Sequence, residues 1–313
     1  VFERRETLPK EGAGIQISPN ARHVLDDLGV ELQNALFLPD SINIHTQSAK
    51  PLTKLDLTGF KRLHGAPYGV MKRYELSRAL GEVCMQHDDI ELHFGREITS
   101  FDELDADISI LADGIWSSLK VHIEGTRPAR HSGFTAFRAV LNKADIVSPA
   151  PNALCSGNSV SLWQGRDAHA VFYPLPENQL NVVLVSKQTR TTTNRWSTAA
   201  TPKALKDVLA ELSPELRFLL HHADEFQQWP IFETVASEPM VQDTMVLLGD
   251  AGHGMTPFAA QGGAMAIEDA AVLAKCLART ENIKEALKTF EMTRLPRLKK
   301  VRKKLTLQKT VTY

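Results

Sequence analysis

Residues 246–274 read VLLGDAGHGMTPFAAQGGAMAIEDAAVLA, and this stretch predicts a buried strand, a glycine-rich loop and the start of a helix in immediate succession. The apolar run 245–248 is short enough for a core strand, and Gly249-Asp250 ends it with a carboxylate at the carboxyl edge. Gly262 and Gly263 allow a ligand to approach the backbone closely. The helix that begins near Gln261 points its positive end at the loop. This order of elements is typical of a cofactor site, and the carboxylate suits a ribityl or ribose hydroxyl.

Other segments of the chain carry compatible motifs. They are VFERR at 1–5 with GAGIQISPN at 12–20, MKRYEL at 71–76, ISILADGIWS at 108–117, GFTAFR at 133–138 and HAVFY at 169–173. Each motif is weakly specific, but all of them in this order closely resemble the single-component FAD-dependent aromatic hydroxylases. These are the salicylate hydroxylase-like group A monooxygenases. The resemblance covers nearly the whole chain.

The resemblance implies an α/β fold in which a Rossmann-like FAD-binding domain is interleaved with a β-sheet substrate domain and followed by a C-terminal helix. We expect the FAD-binding domain to comprise residues 1–40, 65–130 and 231–282. Residues 41–64 and 131–230 are expected to form the substrate domain, and residues 283–313 the C-terminal helical segment. The local patterns agree: they predict helices at 20–28, 74–86, 202–221 and 283–309, and strands within 41–57 and at 160–163, 170–174, 180–186 and 245–248.

The resemblance also implies residue roles at an FAD site. Glu3 falls where the family's acid binds the adenosine ribose, and Asp113-Gly114 matches the motif that touches both FAD and nicotinamide dinucleotide. Pro257 is expected to shape a rigid loop against the flavin face. The full set of expected cofactor residues is Glu3, Arg4, Arg73, Asp113, Gly114, Gly249, Asp250, Pro257, Gly262 and Gly263. His253 is a further, weaker candidate for FAD contact.

His169 and Tyr173 are the expected catalytic and substrate-binding residues, with Pro257 as a catalytic loop residue. Four positions along a strand put both side chains on one face, at most about 13 Å apart, so that they can flank one small ring. In related hydroxylases the matching His and Tyr orient the substrate hydroxyl, and a Gln matching Gln261 also lines the pocket. A His whose pKa lies near neutrality is the natural proton acceptor for a phenol.

Composition fits an ordinary enzyme. The chain has 313 residues, 43% hydrophobic and 23% charged, with a formal net charge of -1, which gives no electrostatic case for nucleic acid or an anionic membrane as partner. No run of residues is long and apolar enough to span a bilayer. The three cysteines, Cys84, Cys155 and Cys276, have no metal-binding spacing and indicate free thiols in a reducing cytoplasm. The basic run near the C-terminus is typical of a solvated helix face. We expect no metal site and a monomer or homodimer.

Two departures from the family pattern stand out. No G-x-G-x-x-G motif occurs in these residues, although the family has one just before the strand that VFERR ends. The family's strand pair is also lacking between Ser100 and Asp105. We expect these residues to belong to a longer protein whose remaining segments order on FAD, with a true truncation as the alternative.

The sequence leaves three functional hypotheses. In the leading one, the protein uses FAD, NADH or NADPH, and O2 to hydroxylate a small phenol or aromatic acid through a flavin C4a-hydroperoxide. In the second, an FAD oxidoreductase of the same fold acts on a bulkier or non-aromatic substrate. In the third, a flavin-free remnant serves as a binding module. The residues do not name the substrate, the position hydroxylated, whether a carboxylate is lost, or the preferred nicotinamide.

Overall fold

A computed structural model describes residues 1–312 except 11, 33, 49, 147–156, 166, 189–197, 211, 224 and 236–237. The strands, in chain order, are β1 (Phe2–Glu3), β2 (Gly14–Ile17), β3 (Ser41–Thr46), β4 (Pro51–Asp56), β5 (Gly69–Lys72), β6 (His93–Phe94), β7 (Ser109–Leu111), β8 (Arg130–Asn142), β9 (Ser159–Gln164), β10 (Ala168–Leu175), β11 (Gln179–Lys187), β12 (Thr198–Ala199), β13 (Gln227–Glu233), β14 (Val241–Gln242) and β15 (Met245–Leu247). The α-helices are α1 (Pro19–Asp27), α2 (Phe60–His64), α3 (Arg73–Met85), α4 (Pro202–Ala210), α5 (Pro214–Leu220), α6 (Asp250–His253), α7 (Gly262–Leu277) and α8 (Ile283–Thr312).

One large sheet contains eight strands in the order β12-β13-β8-β11-β10-β9-β3-β4. Its pairs are antiparallel except for β3 and β9, which run parallel. Alternate residues of β8, β10 and β11 bury one face against α4 and α5, with Phe137, Phe172, Leu184 and Leu216 in the shared core. The opposite face of the large sheet is therefore available for contacts with other parts of the chain.

Two smaller groups of strands also contain a parallel pair. β1 pairs with β6, and β7 pairs with β15, which is joined by the antiparallel β14. A further antiparallel pair, β2 with β5, contacts the large sheet through β5 and β10. Helices α7 and α8 pack on each other over an apolar cluster that includes Met265, Leu273, Leu287 and Phe290.

The predicted helices and strands are confirmed, with one difference. The pattern predicts one helix over 202–221, whereas the structure ends α4 at Ala210 and begins α5 at Pro214. The Ser213 hydroxyl accepts a hydrogen bond from the backbone N–H of Leu216, and the proline that follows needs no donor partner at the first helical position. This local start signal outweighs the continuous apolar periodicity.

The sequence reading missed the β2–β5 pair and the short helix α2. Between Ser100 and Asp105 the structure has a single 3₁₀ turn, Phe101–Glu103, closed by a capping box between Ser100 and Glu103. In the described part of the chain, no helix is both long and apolar enough to cross a bilayer. Cys84 and Cys276 are free thiols, and Cys155 lies outside the described residues.

Candidate active site

The turn after β15 requires glycine. Gly249 has φ +59°, in the left-handed region, and a Cβ built on it would lie 3.0 Å from the Cβ of Ala266 on α7. Its N–H donates to Asp269 Oδ2 at 3.0 Å. The turn therefore holds Asp250 at the carboxyl end of β15, where the sequence pattern predicts it.

Asp250 lies close to the N-terminus of α7. A Cβ built on Gly262 would be 4.0 Å from Asp250 Oδ1, and one built on Gly263 would be 3.2 Å from Ile15 Cδ1 on β2. Among the described residues no side chain caps the first turn of α7, so its backbone donors remain available to a ligand that lies beside the Asp250 carboxylate. A carboxylate acceptor, two glycines and a helix N-terminus thus meet at one place.

A buried network of ion pairs between α7 and α8 supports this turn. Asp269 on α7 is fully buried; its Oδ2 is 2.5 Å from His253 Nε2, and its Oδ1 accepts from Arg294 Nε at 2.7 Å. Arg294 also donates to Glu268 Oε2 at 2.8 Å, and Asn20 donates to Glu268 Oε1 at 2.7 Å. The His253 ring is buried against Asp269 and so supports the turn, while its contact with FAD stays a prediction.

His169 and Tyr173 lie on the face of the large sheet that is turned away from α4 and α5. Ala170 and Phe172 between them belong to the core on the opposite face, as strand alternation requires. Both side chains are buried. The His169 ring lies 5.4 Å from the ring of Phe258, in the loop that leads to α7. The sheet face and the glycine-rich loop are therefore in contact.

Strand β2 connects Tyr173 to α7. A Cβ on Gly14 would lie 2.5 Å from the Tyr173 hydroxyl, while the neighbouring Ile15 reaches Gly263. The backbone N–H of Gly14 donates to Asn181 Oδ1 at 2.8 Å. Gly14 is thus the residue that lets the phenol ring of Tyr173 reach the β2 backbone.

Burial sets the protonation state of these groups. Burial raises the pKa of Tyr173 well above its ordinary value, so it stays a neutral phenol that is able to donate a hydrogen bond. Burial lowers the pKa of His169 to about 4. The sequence-based expectation of a pKa near neutrality is therefore wrong, because the apolar setting disfavours the imidazolium form. At neutral pH this ring is an uncharged acceptor.

The other expected cofactor residues are spread around this centre. Arg73 is exposed at the start of α3, where its N–H donates to Ala13 O and its Cβ lies 3.9 Å from the Cβ position of Gly12. Asp113 is exposed after β7 and precedes Gly114 with φ +86°.

Two of the predicted residues, Glu3 and Arg4, make their contacts away from this centre, whereas Gln261 is the N-cap of α7 and contacts the start of α1. Glu3 on β1 accepts from the N–H of Arg5 at 2.9 Å, and Arg4 lies 3.7 Å from Glu97 at the surface. The Gln261 side chain contacts Ser18 and Asn20 at the start of α1, at 3.3 and 3.5 Å. Pro257, by contrast, opens the 3₁₀ turn Pro257–Ala259 beside His169.

The sequence reading assigned no role to several residues that the fold brings to this region. Asn181 is fully buried, and Tyr68 donates to Gln16 Oε1 beside Tyr173. Arg138 lies within the GFTAFR motif. The motif therefore pointed to this segment, but it gave no role for the arginine. Nothing in the sequence indicated that Asp269 and Arg294 are buried, because charged residues on a helix are ordinarily exposed to solvent. An open surface cavity of about 600 Å³ between the end of β9 and the start of α5 contains none of the predicted residues.

Residues 95–304 match the family described as FAD binding domain. The chain belongs to this family. It is a group A aromatic-ring monooxygenase, an FAD-dependent enzyme that uses NAD(P)H and O2. The chain is 28% identical to 3-hydroxybenzoate 6-hydroxylase 1 of Aquipseudomonas alcaligenes, over 96% of this chain and 80% of that protein. It is 29% identical to 3-amino-4-hydroxybenzoate 2-monooxygenase PtmB3 of Streptomyces platensis, over 97% of this chain and 80% of that protein.

Solved structures share the fold of the monooxygenase. Klebsiella pneumoniae HpxO complexed with FAD and uric acid has a TM-score of 0.81 at 22% identity, and the match covers 100% of this chain and 82% of that one. A salicylate hydroxylase substrate complex has a TM-score of 0.80 at 19% identity, with 96% and 82% covered. The expected α/β fold with its C-terminal helix is confirmed.

The residues of the monooxygenase fit FAD at the glycine turn. Gly249 has a left-handed backbone in which a side chain would be strained, the first turn of α7 has no side-chain cap among the described residues, and Asp250 lies beside that turn as an acceptor. Backbone donors at a helix N-terminus suit an electron-rich or anionic group, and a carboxylate suits a ribityl hydroxyl. This donor set fits FAD, and the match of residues 95–304 to the FAD binding domain family disfavours the flavin-free alternative.

Proposed function

We propose that the monooxygenase hydroxylates a small phenolic aromatic ring bound between the His169–Tyr173 face of the large sheet and the loop at Pro257-Phe258. The observation that carries this proposal is the pair of buried polar side chains on one sheet face, with His169 5.4 Å from the Phe258 ring. Two relatives are named for hydroxybenzoate and amino-hydroxybenzoate substrates, which supports the choice of ring.

FAD, when bound, takes hydride from NAD(P)H and activates O2 for transfer to an electron-rich ring. We propose that Asp250 accepts a hydrogen bond from the ribityl chain and that Gly262, Gly263 and the α7 N-terminus face the isoalloxazine. Arg73, Asp113 and Gly114 are proposed to contact the cofactor from the other side, with Glu3 and Arg4 toward the adenosine. Pro257 keeps the loop between the flavin and His169 rigid.

The proposed role of His169 is to accept the proton of the substrate phenol. Its lowered pKa keeps the ring neutral, so it has an acceptor nitrogen at working pH. Tyr173 stays protonated and donates to the phenolic oxygen, which fixes the ring while its proton is shared. Gln261, at the N-cap of α7, is proposed to line the same pocket.

The eight-stranded sheet supports the proposed division of the chain. Strands β3 and β4 join the sheet of residues 130–233, although residues 65–129 lie between them in sequence. We propose that residues 41–64 and 131–230 form the substrate part, that residues 1–40, 65–130 and 231–282 form the FAD part, and that residues 283–313 form the C-terminal segment.

Coupling tests the proposal, because flavin reduction and ring hydroxylation are separate steps and Tyr173 acts only in the second. Tyr173→Phe should still consume NAD(P)H but release more hydrogen peroxide and less hydroxylated product per NAD(P)H. His169→Ala should uncouple more severely, since a misplaced ring costs on the order of a hundredfold in rate. Tyr74→Phe, which removes a hydroxyl at the start of α3, is the matched control and should keep wild-type coupling. Wild-type coupling and affinity in both site variants would show that they are core packing.

A further inference from the structure

The C-terminal helix α8 reaches the loop segment 250–258 through the side chain of Arg302. Its Nη1 donates to the carbonyl oxygen of Thr234 at 2.5 Å, and its Nη2 donates to the Thr234 hydroxyl at 2.8 Å and to the carbonyl oxygen of Gly254 at 3.1 Å. The Thr234 N–H donates to the same Gly254 oxygen at 2.9 Å. Thr234 directly follows β13, and Gly254 directly follows α6. One guanidinium therefore joins the edge of the large sheet, the loop segment and α8.

Gly254 lies between the two residues of the loop segment that are proposed to contact the flavin. Asp250 comes four residues earlier, and its carbonyl oxygen accepts the Gly254 N–H at 3.2 Å; Pro257 comes three residues later and opens a 3₁₀ turn. A Cβ built on Gly254 would overlap Cδ1 of Ile115, which follows Gly114. The Gly254 backbone is thus packed tightly on both sides, and any displacement of it would move Asp250 and Pro257.

The hydrogen bonds from Arg302 are charge-assisted. Burial lowers the pKa of Arg302, whereas nearby carboxylates raise it, and these are Glu233, Glu238 and Asp250. Two of them already pair with other cations, Glu238 with the buried Lys120 and Glu233 with Arg130. An arginine keeps its charge at any working pH, and its planar fork can hold two acceptors at once. Such bonds are about twice as strong as those between neutral groups, so Arg302 can hold Gly254 and Thr234 together.

We propose that Arg302 is a positioning residue for the monooxygenase reaction. By holding the Gly254 carbonyl against the end of β13, it fixes Asp250 and Pro257 relative to the sheet that carries His169. This rests on the flavin placement in the proposed function and is independent of the roles given to His169 and Tyr173. Transfer of oxygen to a ring needs a fixed geometry, in which a misplacement of about 1 Å costs on the order of a hundredfold in rate. Oxidation of NAD(P)H requires only that FAD stays bound and accessible.

The test measures backbone hydrogen–deuterium exchange and coupling on the same FAD-loaded samples of wild type, Arg302→Met and Arg302→Lys. Methionine keeps an apolar stem and helix propensity but donates no hydrogen bond. In Arg302→Met, exchange should become about tenfold or more faster in segment 250–258 and at Thr234, because charge-assisted bonds that oppose local opening are lost. Exchange in α5, on the far face of the large sheet, should stay as in wild type.

Coupling is the hydroxylated product formed per NAD(P)H oxidised, measured with whichever of phenol and 2-, 3- and 4-hydroxybenzoate the wild type hydroxylates best. Arg302→Met should still consume NAD(P)H but form less product and correspondingly more hydrogen peroxide. Arg302→Lys should lie between the two, because it keeps the charge but not the fork. Lys303→Met is the matched control, since Lys303 is the exposed neighbour on α8, and it should behave like wild type in both measurements.

The proposal is overturned if Arg302→Met, with FAD fully bound, keeps wild-type coupling, or if its coupling falls while exchange in segment 250–258 is unchanged. An equal rise in exchange over the whole chain also overturns it, because Arg302 would then serve general stability alone. Thr234→Val removes the hydroxyl that lies between Arg302 and Gly254, and it should give a smaller change of the same kind. If Arg302→Met does not fold and Thr234→Val behaves like wild type, the proposal is overturned as well.

Tyr173→Phe separates this proposal from the proposed function. It should uncouple the enzyme without changing exchange in segment 250–258, because Tyr173 is assigned to the substrate ring alone. Wild-type coupling in Tyr173→Phe would contradict the proposed placement of the ring, and Arg302→Met would still be expected to uncouple.

Discussion

The two arginines of α8 that meet Glu268 differ sharply in burial, and this difference predicts unequal effects. Arg294 is 4% exposed and also pairs with the fully buried Asp269, whereas Arg297 is 43% exposed and pairs with Glu268 alone. Arg294→Met removes the guanidinium from the buried Asp269 carboxylate and leaves it with His253 and the N–H of Gly249; losing one partner of a buried ion pair costs about 3–5 kcal/mol. Arg297→Met removes a solvent-screened pair worth about 0–1 kcal/mol. Both variants keep the apolar stem and the helix propensity of the position.

Urea unfolding at pH 7, with a fixed concentration of FAD, measures this difference as a shift in the midpoint at constant slope. Arg294→Met should lose several times more unfolding free energy than Arg297→Met. It should also weaken FAD binding, because Asp269 accepts the N–H of Gly249 and so holds the turn that carries Asp250. Flavin fluorescence during titration of the apoprotein reports this second effect.

Equal losses in the two variants would refute the reasoning, since burial would then not decide the strength of these pairs. A large loss of stability with unchanged FAD affinity would refute only the link between the network and the turn. In that case Asp269 would stabilise the packing of α7 on α8 without positioning the cofactor residues.

Three further predictions concern the same groups. Asp250→Ala should leave a folded protein that binds FAD at least about tenfold more weakly in a flavin titration, because a charge-assisted hydrogen bond is worth about 1.5–3 kcal/mol; the exposed Asp243→Ala should bind normally. Burial opposes ionisation of Glu268, but hydrogen bonds from Arg297, Arg294 and Asn20 lower its pKa to about 2. Its stabilising contribution should therefore be complete above its ordinary value of 4.5 and disappear as the pH falls toward 2, and Glu268→Gln should flatten thermal stability in that window. Burial lowers the pKa of His169 to about 4 from an ordinary 6.5, so between these values the unfolded chain binds more protons and stability should rise with pH. His169→Gln should remove that part of the melting-temperature profile; an unchanged profile would show that His169 is not buried as a neutral ring.

Local signals accounted for the elements that could be predicted. The run 245–248 followed by Gly249-Asp250 predicted β15 and its turn, and the apolar spacing after Gln261 predicted α7. Periodicity also placed β10 and β11, since a strand that buries both faces is rich in apolar residues over its whole length. Where a local start signal competes with periodicity, as at Ser213-Pro214, the pattern alone predicted the wrong number of helices.

The chain by itself determined the identity of the family, the strand–turn–helix of residues 245–277, and the pairing of His169 with Tyr173 on one strand face. These depend on neighbours a few positions apart, whose geometry the backbone fixes. Only the tertiary structure decided that His169 is buried enough to stay neutral, that Arg138 meets no carboxylate of the described residues, and that Asp269, Arg294 and Gly249 form one network. Desolvation and charge pairing depend on what lies across space, and residues 138, 169 and 294 become relevant to one site only after strands and helices distant in sequence have packed together.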